Sequence, residues 1–162
     1  MFIVMIMYTL IPIIMGSSAD LPVGNKIKDE LHKYGIPSVI RICSAHKAPH
    51  ELLKMLDEYE LDDEVKVYVT IAGKSNALSA LIDGNTVKPV ISCPPLTDTK
   101  MYDLYSSTSM PSYIAPMVVL NPKNAAVAVT KICGLVNNNL QKSIESLHNQ
   151  NALTLKIDDI KQ

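Results

Sequence analysis

The sequence predicts an α/β protein built on a parallel sheet with helices over both faces. Two observations carry this. Short apolar runs of strand length alternate with longer stretches whose apolar residues recur at helical spacing. The junctions between them are rich in Gly, Pro, Ser, Asp and Asn, the residues that cap helices and turn the chain. Strands alternating with helices imply a sheet whose two faces are both covered. With 162 residues, 48% of them hydrophobic and 19% charged, the chain suits one folded domain with ample core.

Each element has its own signal. Ile11–Met15 reads as a buried strand that ends in Gly16-Ser17-Ser18. Asp20 stands where an N-cap belongs and Pro22 falls in the first helical turn. Val23, Ile27, Leu31 and Tyr34 follow near helical spacing, and Gly35 stops that helix. Ser38–Cys43 is the second strand. Pro49 opens a second helix with Leu52, Leu53, Leu56 and Tyr59 on one face. Val65–Ile71 is the third strand, and a short helix runs near Asn76–Ile82. Pro89–Ser92 is the fourth strand. Cys93-Pro94-Pro95 must be a loop, because Pro-Pro cannot continue a ladder. Met117–Leu120 is the fifth strand, and Asn121-Pro122 starts a helix running to about Leu135. The tail from Asn137 is more polar and reads as a helix reaching beyond the domain.

The first fifteen residues, MFIVMIMYTLIPIIM, carry no charge. A spanning helix needs about 20 apolar residues, and Pro12 interrupts the run. A secretory signal needs a basic segment ahead of the apolar stretch, and none stands there. A buried first strand with an apolar leader is the better reading, with Met5 or Met7 as alternative starts.

Composition excludes several partners. The balance of 15 Lys+Arg against 16 Asp+Glu, net −1, offers no basic surface for nucleic acid. With no Trp and one Phe, a stacking platform for single strands is not expected either. Cys43, Cys93 and Cys133 are odd in number and widely spaced, so neither a zinc knuckle nor a disulfide framework is supported. A reducing, cytoplasmic setting follows.

In a parallel sheet the strand-to-helix loops gather at the carboxyl edge, where ligands bind. Four polar or Gly-containing loops fall there. Gly16-Ser17-Ser18-Ala19-Asp20 can hold a phosphate with its N–H groups and hydroxyls at a helix start, or simply cap that helix. Asp20 can also accept from ribose hydroxyls. It is neither a P-loop nor a dinucleotide fingerprint. Ser44-Ala45-His46-Lys47 is the sharper signal. His46 can exchange protons near neutral pH and Lys47 suits a phosphate or carboxylate, although the pair also fits an ordinary surface turn. His50 stands four residues on, but no carboxylate or cysteine joins it at ligand spacing, so a metal is rejected. In Ala72-Gly73-Lys74-Ser75-Asn76, Gly73 permits close approach to a ligand, while Ser75 and Asn76 can bind it or cap the next helix. Nothing near Lys74 marks it as a Schiff-base lysine. Ser92-Cys93-Pro94-Pro95 is the fourth loop, and its Cys93 has no evident partner base and reads as a small buried residue. Met101, Met110 and Met117 read as packing.

Taken in order, IPIIMGSSAD, SAHKAPH, IAGKSNALSALIDGNT, PVISCPPLTD and LYSSTSMPS resemble the aminoimidazole ribonucleotide carboxylase (PurE-type) family from about Pro12 to Leu135. SAHK, GKSNAL and ISCPPLTD are similar to its class II branch, which uses carbon dioxide directly. The resemblance implies a three-layer, flavodoxin-like doubly wound parallel sheet. It implies a homo-octamer with sites at subunit junctions and the C-terminal helix packed on neighbouring subunits. The expected organisation is an apolar leader or strand extension over 1–10, a catalytic domain over 11–136 and a helical tail over 137–162. The implied substrates are a small ribonucleotide and carbon dioxide, with no cofactor, metal, nucleic acid or membrane. By position, His46 is the proton-transfer residue, with Lys47 beside it. Gly16, Ser17, Ser18, Asp20, Ser44, Ala45, Lys47, Gly73, Lys74, Ser75 and Asn76 are the substrate-binding set.

The chain departs from the family pattern at four places. Ala19 stands where a second serine is usual, Lys74 where Arg is usual, and Ser109 and Tyr113 where Arg and Gly are usual. Two other readings remain open. One is a mutase acting on the N5-carboxyamino isomer. The other is a nucleotide-binding or scaffold protein that has lost catalysis.

Overall fold

The computed structural model describes residues 9–96 and 101–161, the side chains of 101–103 excepted. Residues 1–8 of the expected 1–10 leader, Thr97 and Asp98 at the end of the PVISCPPLTD segment, and the packing of Met101 lie outside the described residues.

Five strands form one parallel sheet in the order β2-β1-β3-β4-β5. They are β1 (Ile11–Met15), β2 (Ser38–Ile42), β3 (Tyr68–Ile71), β4 (Val90–Ser92) and β5 (Met117–Val118). Ile13 at the centre of β1 pairs in register with Ile40 on one side and Val69 on the other. The helices are α1 (Leu21–Lys33), α2 (Pro49–Glu60), α3 (Ala77–Asp83), α4 (Met101–Thr108), α5 (Pro122–Gly134) and α6 (Asn138–Ile160).

Alternate side chains of a strand point to opposite faces, so a central strand feeds two cores. Ile11, Ile13 and Met15 pack with Ile27 and Leu31 of α1 and Ala125 and Val129 of α5. Ile14 turns the other way and packs with Leu52 and Leu56 of α2 and Leu78 and Ile82 of α3. This is the three-layer, flavodoxin-like arrangement. Gly24 lets α1 lie close on the sheet, for a Cβ there would meet Met15 Sδ at 2.7 Å. Gly35, at φ 70, ends α1 in a Schellman motif. The Ile36 N–H donates to the Leu31 carbonyl at 3.1 Å, and the Gly35 N–H to that of His32 at 2.9 Å.

The structure trims several expected elements. Val65 lies outside β3 and makes an isolated bridge with Leu10. Pro89 precedes β4 and supplies only a carbonyl, accepting from the Tyr68 N–H at 3.0 Å. β5 shrinks to two residues. On α2, Met55 is buried while Leu53 and Tyr59 are only partly so. Met117 is 43% exposed, which corrects its reading as packing. It stands on β5 at the edge of the sheet. Helix α4 had no signal, because Tyr-Asp-Leu-Tyr-Ser-Ser-Thr combines modest helix formers with no apolar period. The tail is helical as expected, and its first turns bury Leu140 and Ile144.

Candidate active site

Between β1 and β3 the strand order reverses direction, and the crevice outside the carboxyl ends of such strands is where doubly wound sheets bind ligands. A cleft of about 520 Å³ lies there. Gly16, Ser17 and Asp20 line it from the first loop, Ser44, Ala45, His46 and Lys47 from the second, and Gly73, Lys74 and Ser75 from the third. Three loops spread over some sixty residues of chain therefore meet on one rim. Ala19, Ala72, Leu78 and Pro95 complete the wall. Sequence reasoning did not place Ala72, Leu78 and Pro95 in the site, although each sits in or beside a loop it had singled out.

The first loop is held by its own atoms. The Ser17 hydroxyl accepts from the Ala19 N–H at 3.2 Å and so caps a single 3₁₀ turn, Ser18–Asp20. That turn displaces Asp20 from the expected role: it stands at the cap position of α1 without a side-chain cap bond. Its side chain lines the cleft instead. Ser18 does not line the cleft. The second loop is equally local. The Ser44 hydroxyl accepts from the Lys47 N–H at 3.3 Å, and the Ser44 carbonyl accepts from the Ala48 N–H at 2.9 Å. This tight turn leaves His46 and Lys47 exposed at its tip. No hydrogen bond to the His46 imidazole is present among the described residues, so the ring is open to a ligand.

The third loop is built differently. Lys74 has φ 59, a left-handed conformation uncommon for a residue with a Cβ. Asn76 is buried and lies behind the loop, not in the cleft wall. Its Oδ1 accepts from the Ser79 N–H at 3.1 Å and the Ser79 hydroxyl at 2.9 Å, which caps α3. Its Nδ2 donates to the hydroxyls of Ser92, 3.0 Å, and Ser107, 2.9 Å. All the side-chain capacity of Asn76 is thus engaged with the scaffold, the capping role being one of the two read from the sequence. The Ser106 hydroxyl joins from α4, accepting from the Asn76 N–H at 3.0 Å and donating to the Lys74 carbonyl at 2.5 Å.

Cys93 sits below the rim, fully buried, and burial alone pushes its thiol up to about 12. A thiol so disfavoured as thiolate is no nucleophile at neutral pH. Among the described residues no three His, Cys, Asp or Glu side chains group to hold a metal ion.

Sheet order and a cleft at the switch point, with His46 and Lys47 on one of its turns, define a flavodoxin-like α/β protein with a candidate small-ligand site. The chain belongs to the AIR carboxylase family, whose pattern matches residues 10–153. A phosphoribosylaminoimidazole carboxylase of Treponema denticola is 45% identical over 156 residues, 96% of this chain and 98% of that one. One from Archaeoglobus fulgidus is 48% identical over 133 residues, covering 82% of this chain and 73% of its own. A human bifunctional phosphoribosylaminoimidazole carboxylase/succinocarboxamide synthetase is 44% identical over 126 residues, 77% of this chain but 30% of that protein. The crystal structure of Treponema denticola PurE superposes with a TM-score of 0.92 at 44% identity, covering 95% of this chain and 98% of that one.

Proposed function

We propose that the protein carboxylates 5-aminoimidazole ribonucleotide at carbon 4 with carbon dioxide, reversibly, in purine biosynthesis. The observation that carries this is the meeting of His46 and Lys47 with the Gly16–Asp20 and Gly73–Ser75 loops in one cleft. The substrate ring is an electron-rich enamine. Its carbon 4 attacks carbon dioxide, a carbon–carbon bond forms, and one C=O π pair moves onto oxygen to give the carboxylate. Carbon 4 is then tetrahedral and still carries its proton. His46 removes that proton, the C–H electrons return to the ring, and aromaticity is restored. In reverse, His46 delivers the proton to carbon 4. Lys47 and the loop N–H groups stabilise the carboxylate as its charge develops. Ser17 and Asp20, at the mouth of α1, suit the phosphate and ribose of the nucleotide.

The SAHK and GKSNAL segments favour the branch that uses carbon dioxide itself. The same proposal takes residues 11–136 as the catalytic unit, a homo-octamer as the assembly and the cytoplasm as the location. It sets the tail against neighbouring subunits. Leu153 and Ile160 near the end of α6, 58% and 84% exposed, support that last point, since a partner would cover them. No described helix is long and apolar enough to cross a membrane.

The test supplies purified protein with 5-aminoimidazole ribonucleotide and bicarbonate, without ATP or a partner synthetase. Carboxylation of the ring is expected. A reaction that responds only to the N5-carboxylated isomer would establish the mutase instead. Binding with no turnover of either substrate would establish a scaffold.

A further inference from the structure

The Gly73–Ser75 loop must present Lys74 and Ser75 to the ligand while Lys74 keeps a backbone conformation that its Cβ disfavours. Its support comes from α4. The Ser106 hydroxyl donates to the Lys74 carbonyl and accepts from the Asn76 N–H, at 2.5 and 3.0 Å. Those two groups belong to the peptide planes on either side of Ser75. One hydroxyl therefore fixes both planes, and with them the direction in which Ser75 meets the cleft. The anchor is itself rigid, because the buried Ser107 on the same helix accepts from Asn76 Nδ2 at 2.9 Å. Ser106 does not line the cleft.

We infer that Ser106 is a positioning residue for substrate binding, acting from α4 through the Lys74 carbonyl and the Asn76 N–H to hold Lys74 and Ser75 in the orientation that meets the ribonucleotide. The inference rests on the carboxylase reading above. Losing the clamp lets the loop leave the left-handed conformation, so binding must reorder it. That penalty falls on complex formation and leaves the proton transfer at His46 alone.

Ser106→Ala removes both bonds and keeps the helical propensity of α4. The KM for 5-aminoimidazole ribonucleotide is expected to rise about tenfold, the effect of losing roughly two net hydrogen bonds. The kcat is expected to stay within about threefold, since the reacting atoms are untouched. Ser106→Thr keeps the hydroxyl and should return KM to within about threefold of the parent. Calorimetric titration of the ribonucleotide into His46→Asn and into His46→Asn/Ser106→Ala repeats the comparison without turnover, about tenfold weaker binding being expected in the second. An unchanged KM in Ser106→Ala overturns the inference. So does a rise that Ser106→Thr fails to correct, or one matched by an equal fall in kcat. If the parent binds ribonucleotide without carboxylating it, the carboxylase reading fails, and the calorimetric pair still decides the role of Ser106.

Discussion

Two neighbouring loops line the cleft and are held in opposite ways. Gly16–Asp20 is closed by a bond that the Ser17 hydroxyl accepts from the N–H two positions on. Gly73–Ser75 is held by Ser106 and Ser107, some thirty residues away on α4. The first is a local turn that a short peptide carries in its own sequence. The second exists only once β3, β4, α3 and α4 have assembled around Asn76. The half of the site we propose for sugar and phosphate is therefore preset, whereas the half carrying Lys74 and Ser75 depends on tertiary packing.

The largest expected effect lies on neither support but on His46, carried by the second loop. His46→Asn should lower turnover by about 10²–10⁴-fold, the usual worth of general acid–base help, while ribonucleotide binding is largely spared. Turnover measured beside calorimetric affinity checks it, and undiminished turnover would remove His46 from the mechanism. The contrast between loops predicts the next effects. Asn76→Ala deletes a helix cap and orphans hydroxyls among buried groups, so urea denaturation should show a loss of roughly 2–4 kcal/mol. Ser17→Ala deletes one exposed local bond and should cost only about 0.5–1.5 kcal/mol. Equal losses for the two variants would show that the two loops are held alike.

Tyr113 sharpens the comparison from a third position. Like Lys74 it has positive φ, 70, but its side chain is fully exposed, with no packing to lose. Tyr113→Gly should therefore raise stability by up to ~1 kcal/mol, less the extra freedom glycine brings to the unfolded chain. An unchanged or lowered urea midpoint would show that Tyr113 is held by something besides its backbone.

The smallest effect is one that neutral pH hides. Burial pushes the Cys93 thiol up to about 12 and the Cys133 thiol up to about 11. Both stay protonated in the fold, while an unfolded thiol ionises near ~8.5. Their contribution is complete below that value and is lost as pH rises from it through the folded values. The urea midpoint should fall above about pH 9, less steeply in Cys93→Ala. A midpoint flat to pH 11 would contradict the burial described.

The sequence made the local features legible. The strand runs, the Pro22, Pro49 and Pro122 helix starts and the Gly35 stop depend on neighbours within a few positions. The rim was legible too, because a parallel sheet dictates where its loops emerge. Choices between equivalent local groups were not. Ser17 and Asp20 are both good caps, and an inserted 3₁₀ turn decided for Ser17. Nor were features that depend on distant chain. Half of the side-chain bonding of Asn76 runs to Ser92 and Ser107, and no window around residue 76 contains them. The left-handed backbone of Lys74 has the same origin, since lysine itself gives no hint of it.

Strand β2 carries a last consequence. Among the described residues it borders the sheet, and none of its five residues is buried. An outer strand invites foreign chains to pair with its free backbone groups. Here Pro37 precedes the strand without an N–H to offer, and the Arg41 guanidinium lies 5.7 Å from the Tyr59 ring centre, donating to the Tyr59 hydroxyl at 3.0 Å. A tethered charge on this flank, behind a proline, makes β2 a poor template for aggregation.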